Sequence, residues 1–166
     1  ASQAYDRDGR VGDAALALRS GRCGLVVGAI GFEPDAPAAL VEPEVVVRTD
    51  GPLEPPAYFR GIRTRARVEE QIPSPEVHRA RVATALQGIR AGGVGKVVLA
   101  RAIRLVADEP IDPHAVCATL IDSSTYADGF LVDLSPAGGA YTGRVLVGSS
   151  PELLVRRRGD TVECHP

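Results

Sequence analysis

The stretch SPEVHRARVATALQGIRAGGVGKVVLARAIRLV, residues 74–106, decides how the chain is read, because it passes from a helical period to an alternating one across a glycine-rich turn. Ser74 is placed to cap a helix, Pro75 suits its first position, and Glu76 puts an acid in the positive first turn. Val82, Leu86 and Ile89 recur at i, i+4 and i+7 as one apolar stripe, and Gly92-Gly93 supplies the stop. From Lys96 to about Val106 the pattern becomes that of a strand. Alternation puts Val97, Leu99, Arg101, Ile103 and Leu105 on one face and Lys96, Val98, Ala100, Ala102 and Arg104 on the other. One face is bulky; the other is small enough to admit a ligand near Lys96.

Upstream, Asp13 to Ser20 reads as a short helix carrying Leu16 and Leu18 and stopped by Gly21. Cys23–Phe32, small and β-branched between glycines, reads as a buried strand. After the turn-rich Glu33–Pro37, Val45-Val46-Val47 reads as a further strand, ended by Pro52, Pro55 and Pro56. Downstream, Asp112-Pro113 caps a helix to about Asp122, with Val116, Leu120 and Ile121 expected inward. Phe130–Leu134 and Arg144–Val147 follow as strands. Ser150-Pro151-Glu152 repeats the helix-start pattern, but so few residues precede Gly159-Asp160 that a hairpin is favoured. The expected class is α+β, a mixed or antiparallel sheet with flanking helices.

Composition narrows the function. The chain has 166 residues, 45% hydrophobic and 24% charged, as in ordinary globular proteins. Lys+Arg 19 against Asp+Glu 21 leaves a net charge of -2, without the basic excess that nucleic acid would require. Apolar stretches such as Leu25–Ile30 fall well short of the ~20 residues that span a bilayer, so no membrane association and a cytoplasmic location are expected. Cys23, Cys117 and Cys164 are odd in number and far apart, which points to neither a disulfide framework nor a zinc site. Met is absent, which suggests a processed chain or a piece of one.

Several motif-like runs do not carry their usual chemistry. Gly92-Gly93-Val94-Gly95-Lys96 lacks the first glycine and the final Ser or Thr of a phosphate loop, and its helix-then-strand order is reversed. Gly148-Ser149-Ser150-Pro151-Glu152 has Glu152 where a nucleophile elbow needs glycine. His78, His114 and His165 are too scattered to be read as ligands. Arg158-Gly159-Asp160 is ordinary turn chemistry rather than an adhesion signal.

Three segments together resemble the chorismate-using enzymes, a family of isochorismate synthases, salicylate synthases and the synthase subunits for anthranilate and aminodeoxychorismate. They are Gly28-Ala29-Ile30-Gly31-Phe32-Glu33, Lys96-Val97-Val98-Leu99-Ala100-Arg101 and Gly148-Ser149-Ser150-Pro151-Glu152-Leu153-Leu154. Gly31 and Glu33 depart from the family's first motif. The resemblance stops at His165-Pro166, where the family continues into a second half, so residues 1–166 are expected to be the N-terminal part of a chorismate-binding catalytic domain. In the family the missing half carries the glutamates that bind Mg²⁺. The resemblance therefore implies a Mg²⁺ cofactor but assigns no metal ligand and no cofactor-binding residue to this chain.

Lysine at the position of Lys96 accompanies water as nucleophile in the family, where the ammonia-using members carry glutamine. The resemblance thus implies isochorismate synthase, with chorismate as substrate: water adds at ring C2 and hydroxide leaves from C4. A salicylate synthase or an ammonia-using enzyme that has acquired Lys96 stands as the sister alternative. A non-enzymatic half-domain is the other. Lys96 is implied to be the general base and Glu152 the general acid. An ordinary lysine, with pKa ~10.4, is protonated at neutral pH, so a base here requires burial or a nearby cation; the acid, ordinarily ~4.3, must be raised. Taken alone, Lys96 would be a solvated strand residue and Glu152 a first-turn helix acid; the paired motifs favour the functional reading. The two are expected to face one cavity. Alone, the chain is expected to lack activity and a tight Mg²⁺ site, to expose apolar surface, and to have the C-terminal half as a partner if that half is a separate chain.

Overall fold

The computed structural model describes residues 3–4, 11–33, 36–61, 64–150 and 153–165. The chain divides into two compact units, Ala1–Ile62 with Asp112–Pro166, and Arg63–Ile111. The first unit opens with β1 (Gln3–Ala4), α1 (Val11–Arg19), β2 (Val27–Ala29) and β3 (Ala39–Glu42). Both β1 and β2 pair antiparallel with β3, which lies between them. Ala14 of α1 packs with Ala38 and Leu40, and Val26 joins them. Leu16 and Leu18 stay exposed, so the helix buries its alanines instead. Only three residues of the Cys23–Phe32 run enter the ladder. Gly28 is required there: its φ is +147°, and an added Cβ would overlap the Ala39 carbonyl.

The expected strand at Val45–Val47 does not form; the strand lies earlier, in β3. Pro43 follows Glu42 directly, has no N–H for the ladder, and leaves Val45 and Val47 76% and 82% exposed.

The second unit holds β4 (Ala66–Ile72), α2 (Pro75–Arg90) and β5 (Ala102–Ala107). Ser74 caps α2, its hydroxyl accepting from the Val77 N–H at 3.4 Å. At the other end Gly92 stands at φ +73°, the Gly92 N–H donates to the Ile89 carbonyl and the Gly93 N–H to the Gly88 carbonyl, both at 3.0 Å. That double bond pattern is the Schellman cap, so the glycines end a helix, as their order implied. β5 starts at Ala102, not at Lys96. The antiparallel ladder runs from Ala66–Ala107 to Ile72–Ala102 and stops where Pro73 has no N–H to donate, leaving residues 96–101 outside it. The α2 stripe is not buried by its own unit: Val82 is 36% and Leu86 45% exposed.

The chain then returns to the first unit with α3 (Pro113–Ser123), capped by the Asp112 carboxylate, which accepts from the His114 N–H at 2.8 Å. Ala115, Ala118 and Ile121 are buried. This corrects the expected inward set: the i, i+3, i+6 face carries the packing, leaving Leu120 half-buried and Val116 exposed. β6 (Phe130–Asp133) pairs antiparallel with β7 (Val145–Gly148), and α3 touches both. β8 (Leu153–Arg158) and β9 (Thr161–His165) form the expected hairpin, with Gly159 at φ +58° in its two-residue loop. That positive φ is what glycine supplies in a tight hairpin turn. The α+β class holds, and every described pairing is antiparallel, in four small sheets.

Candidate active site

Lys96 lies in the second unit, three residues beyond the Schellman-capped end of α2. It is exposed, and Val98 beside it is 80% exposed. The dry surroundings expected for a basic lysine are not built by the described residues of Arg63–Ile111. Arg101, at the end of the same motif, donates to the Gln71 side chain. Arg104 reaches both Glu69 (4.0 Å) and Glu70 (3.6 Å). The register shift between Val68 and Glu70 explains the double contact, because a bulge sets two residues of β4 against one of β5. Glu69-Glu70 thus has a cation partner. All three side chains are about half exposed, so these pairs contribute little stability, about 0–1 kcal/mol.

Glu152 lies outside the described residues, as does Pro151. Its approach is described, and it belongs to the first unit. Gly148 ends β7 opposite Phe130, and the Ser149 hydroxyl donates to the Asp128 carbonyl at 2.7 Å. The Ser149 link joins residues 21 positions apart, and no local periodicity announces it.

Described residues of the first unit line, among others, two concavities. One, of about 260 Å³, is apolar and is lined by Leu53, Phe59, His114, Cys117, Ile121 and Leu131 among others. The other, about 450 Å³, lies between Val27, Val41, Val132 and Asp133. The His114 ring stacks on Phe59 with centroids 5.2 Å apart, and its Nδ1 lies 3.3 Å from the Asp112 carboxylate. That makes His114 a helix-start residue. Arg60 grips Asp122 through two nitrogens, each at 3.1 Å, tying the turn at Ala57–Phe59 to the end of α3. Burial pushes the Cys117 thiol up from its ordinary value.

Among the described residues no group of three His, Cys, Asp or Glu side chains is arranged to hold a metal ion. No described helix is long and apolar enough to cross a membrane.

Residues 51–165 match the family described as Chorismate binding enzyme, and the chain belongs to that family. A Mycobacterium tuberculosis protein provisionally named isochorismate synthase MenF is 41% identical over 155 residues, 92% of this chain and 41% of that protein. Isochorismate synthase DhbC of Bacillus subtilis is 34% identical over 143 residues, 86% of this chain and 36% of that protein. Anthranilate synthase component 1 of Aeropyrum pernix is 40% identical over 91 residues, 52% of this chain and 18% of that protein. The chain therefore spans well under half the length of the curated relatives it matches. No solved structure gives a significant match.

Proposed function

We propose that this chain is the N-terminal part of an isochorismate synthase and contributes its general base, Lys96, and general acid, Glu152. The observation that carries the reading is the 92% coverage of this chain by a relative of that name, together with lysine at the head of Lys96–Arg101.

The chemistry balances as an isomerisation. Unprotonated Lys96 accepts a proton from the water that adds at C2 of chorismate, and protonated Glu152 donates one to the hydroxyl leaving C4, which departs as water. One water enters and one leaves. Solvent exchange then resets both groups. Mg²⁺ would supply charge neutralisation at the substrate carboxylate, a Lewis-acid role, with ligands from the remaining length of the full protein. Exposed Lys96 gains a dry setting only if that remaining length covers it.

Product analysis of the full-length protein with chorismate, Mg²⁺ and water tests the proposal. Isochorismate is the expected product, and Lys96→Gln should lower its formation at least about 100-fold, within the range general-base catalysis supplies. Salicylate with pyruvate would assign the salicylate synthase reading instead. An aminated product formed only with ammonia would favour the chemistry named for the Aeropyrum pernix relative. Wild-type turnover by Lys96→Gln would remove Lys96 from the mechanism.

A further inference from the structure

We propose that the concavity between the proline-rich segment 53–59 and α3 is a binding site for a small aromatic cation, one ring carrying a short alkylammonium arm. The site lies within one unit and shares no residue with the three motifs on which the chorismate reading rests. Its ligand is additional to chorismate, whose carboxylates it could not pair, because no Lys or Arg is among the described residues that line it.

The segment is a strap fastened at both ends. At one end the Leu53 N–H donates to the Ala127 carbonyl at 3.3 Å. The turn that carries this carbonyl is itself held, because the Tyr126 and Asp128 N–H groups both donate to the Ser124 hydroxyl at 3.3 Å. At the other end Arg60 grips Asp122 through two nitrogens, and the Phe59 ring stacks on His114 with 12° between the planes. Between the anchors Pro55 and Pro56 fix their own φ, and the Phe59 N–H closes a turn onto the Pro56 carbonyl at 3.0 Å. The facing side is equally fixed: Ala118 and Ile121 of α3 are buried, and a Cβ added at Gly129 would lie 2.9 Å from Cδ1 of Ile121. Neither side can move in without breaking these contacts, so the concavity is built into the fold, preformed as ligand sites are.

Size and lining select the ligand. A volume of about 260 Å³ falls just below the roughly 300–1,000 Å³ of sites for drug-sized molecules, which suits a single ring with a short arm. Leu53, Phe59, Ile121 and Leu131 offer the apolar contact that a ring needs. Burial pushes the Cys117 thiol up, so it stays neutral and presents a soft, polarisable sulfur. Glu54 is the one acid among the described lining residues; it is exposed and no described cation pairs with it. Charge complementarity therefore calls for a cationic arm beside the ring, and a carboxylate arm would be repelled.

The test titrates the full-length protein with 2-phenylethylamine, its neutral analogue 2-phenylethanol, the anion 3-phenylpropionate and the ringless n-butylamine, followed by NMR. Saturable binding of 2-phenylethylamine with Kd of about 1 mM or tighter is expected, within what so few atoms can supply. The alcohol should bind about threefold more weakly, as loss of one exposed ion pair predicts, and the propionate more weakly still. Butylamine should lose at least about tenfold, the share that burying a ring contributes. Glu54→Gln should erase the preference for amine over alcohol and leave the alcohol within about twofold of its wild-type affinity. Cys117→Leu, which fills the concavity, should weaken both ring compounds at least about tenfold. Should that variant not fold, nuclear Overhauser contacts from the ring protons to the methyls of Leu53, Ile121 and Leu131 in the wild type locate the ligand without it. Absence of saturable binding, which would mean that the remaining length of the protein fills the concavity, overturns the proposal. So does equal affinity for the four probes, an amine preference that survives Glu54→Gln, or ring contacts to other methyls only.

Discussion

At the scale of single residues, the carboxylates that cap and fasten the chain should set its response to acid. Hydrogen bonding from the His114 backbone holds the Asp112 carboxyl below its usual range, the Ser135 hydroxyl and N–H do the same for Asp133, and backbone and Ser74 hydrogen bonds lower Glu76. Each of these folded values is depressed. Their contribution to stability is therefore complete above the ordinary carboxylate values of about 3.9–4.3 and is lost as pH falls below them. The urea midpoint should fall steadily once the pH drops below about 4. Asp112→Asn, which keeps an acceptor for the His114 N–H but no titrating charge, should flatten part of that decline. An unchanged slope would show that the Asp112 cap does not contribute to it. The cap was legible in the sequence because Asp followed by Pro states its own local geometry. The His114–Phe59 stack was not, because it joins residues 55 positions apart.

Among the elements, α2 and α3 have similar termini and opposite surroundings. Both begin with an N-cap and Pro, yet α3 buries Ala115, Ala118 and Ile121 while α2 has no buried residue. Ile121→Ala should destabilise the chain by about 2–4 kcal/mol, the usual cost of deleting a buried aliphatic side chain. Leu86→Ala, at a position 45% exposed, should cost less than about 1 kcal/mol in this chain. In the full-length protein the Leu86→Ala cost should rise if the remaining length covers that stripe. Denaturant unfolding of both variants in both lengths decides the matter, and an equally small Leu86→Ala effect in each would show that α2 stays uncovered. The same logic explains the shortened β5: alternation at Lys96–Arg101 has strand character, but a strand forms only where a neighbour offers N–H and C=O groups, and β4 ends before that point.

On the scale of the whole molecule, the buried hydrophobic set among the described residues is small: nine residues, six of them alanine, with Leu40 and Ile121 the largest. Alanine buries little area, so this core contributes little hydrophobic stabilisation for its length. Meanwhile Val68, Ile103 and Leu105 are 53–55% exposed, on two paired strands. Concentration-dependent self-association of the isolated chain is the expected consequence, visible by light scattering and by binding of an apolar dye. Adding the remaining length of the protein as a separate chain should suppress it and bring chorismate turnover, which this chain alone is expected to lack. A monodisperse monomer, or turnover without the added chain, would overturn the reading of the chain as a catalytic half.

Sequence alone determined the elements whose signals are local: the capped starts of α2 and α3, the glycine stop at Gly92-Gly93, the hairpin loop at Gly159-Asp160, and the paired motifs that mark the family. Those signals act within a few residues, through cap hydrogen bonds and allowed φ values, so they can be read without a partner. Tertiary structure decided the rest. Which helix face is buried, where β5 begins, how Glu69 and Glu70 share Arg104 and how Ser149 reaches Asp128 all depend on groups distant in the chain, because burial and ladder bonds exist only when a second element supplies the other side.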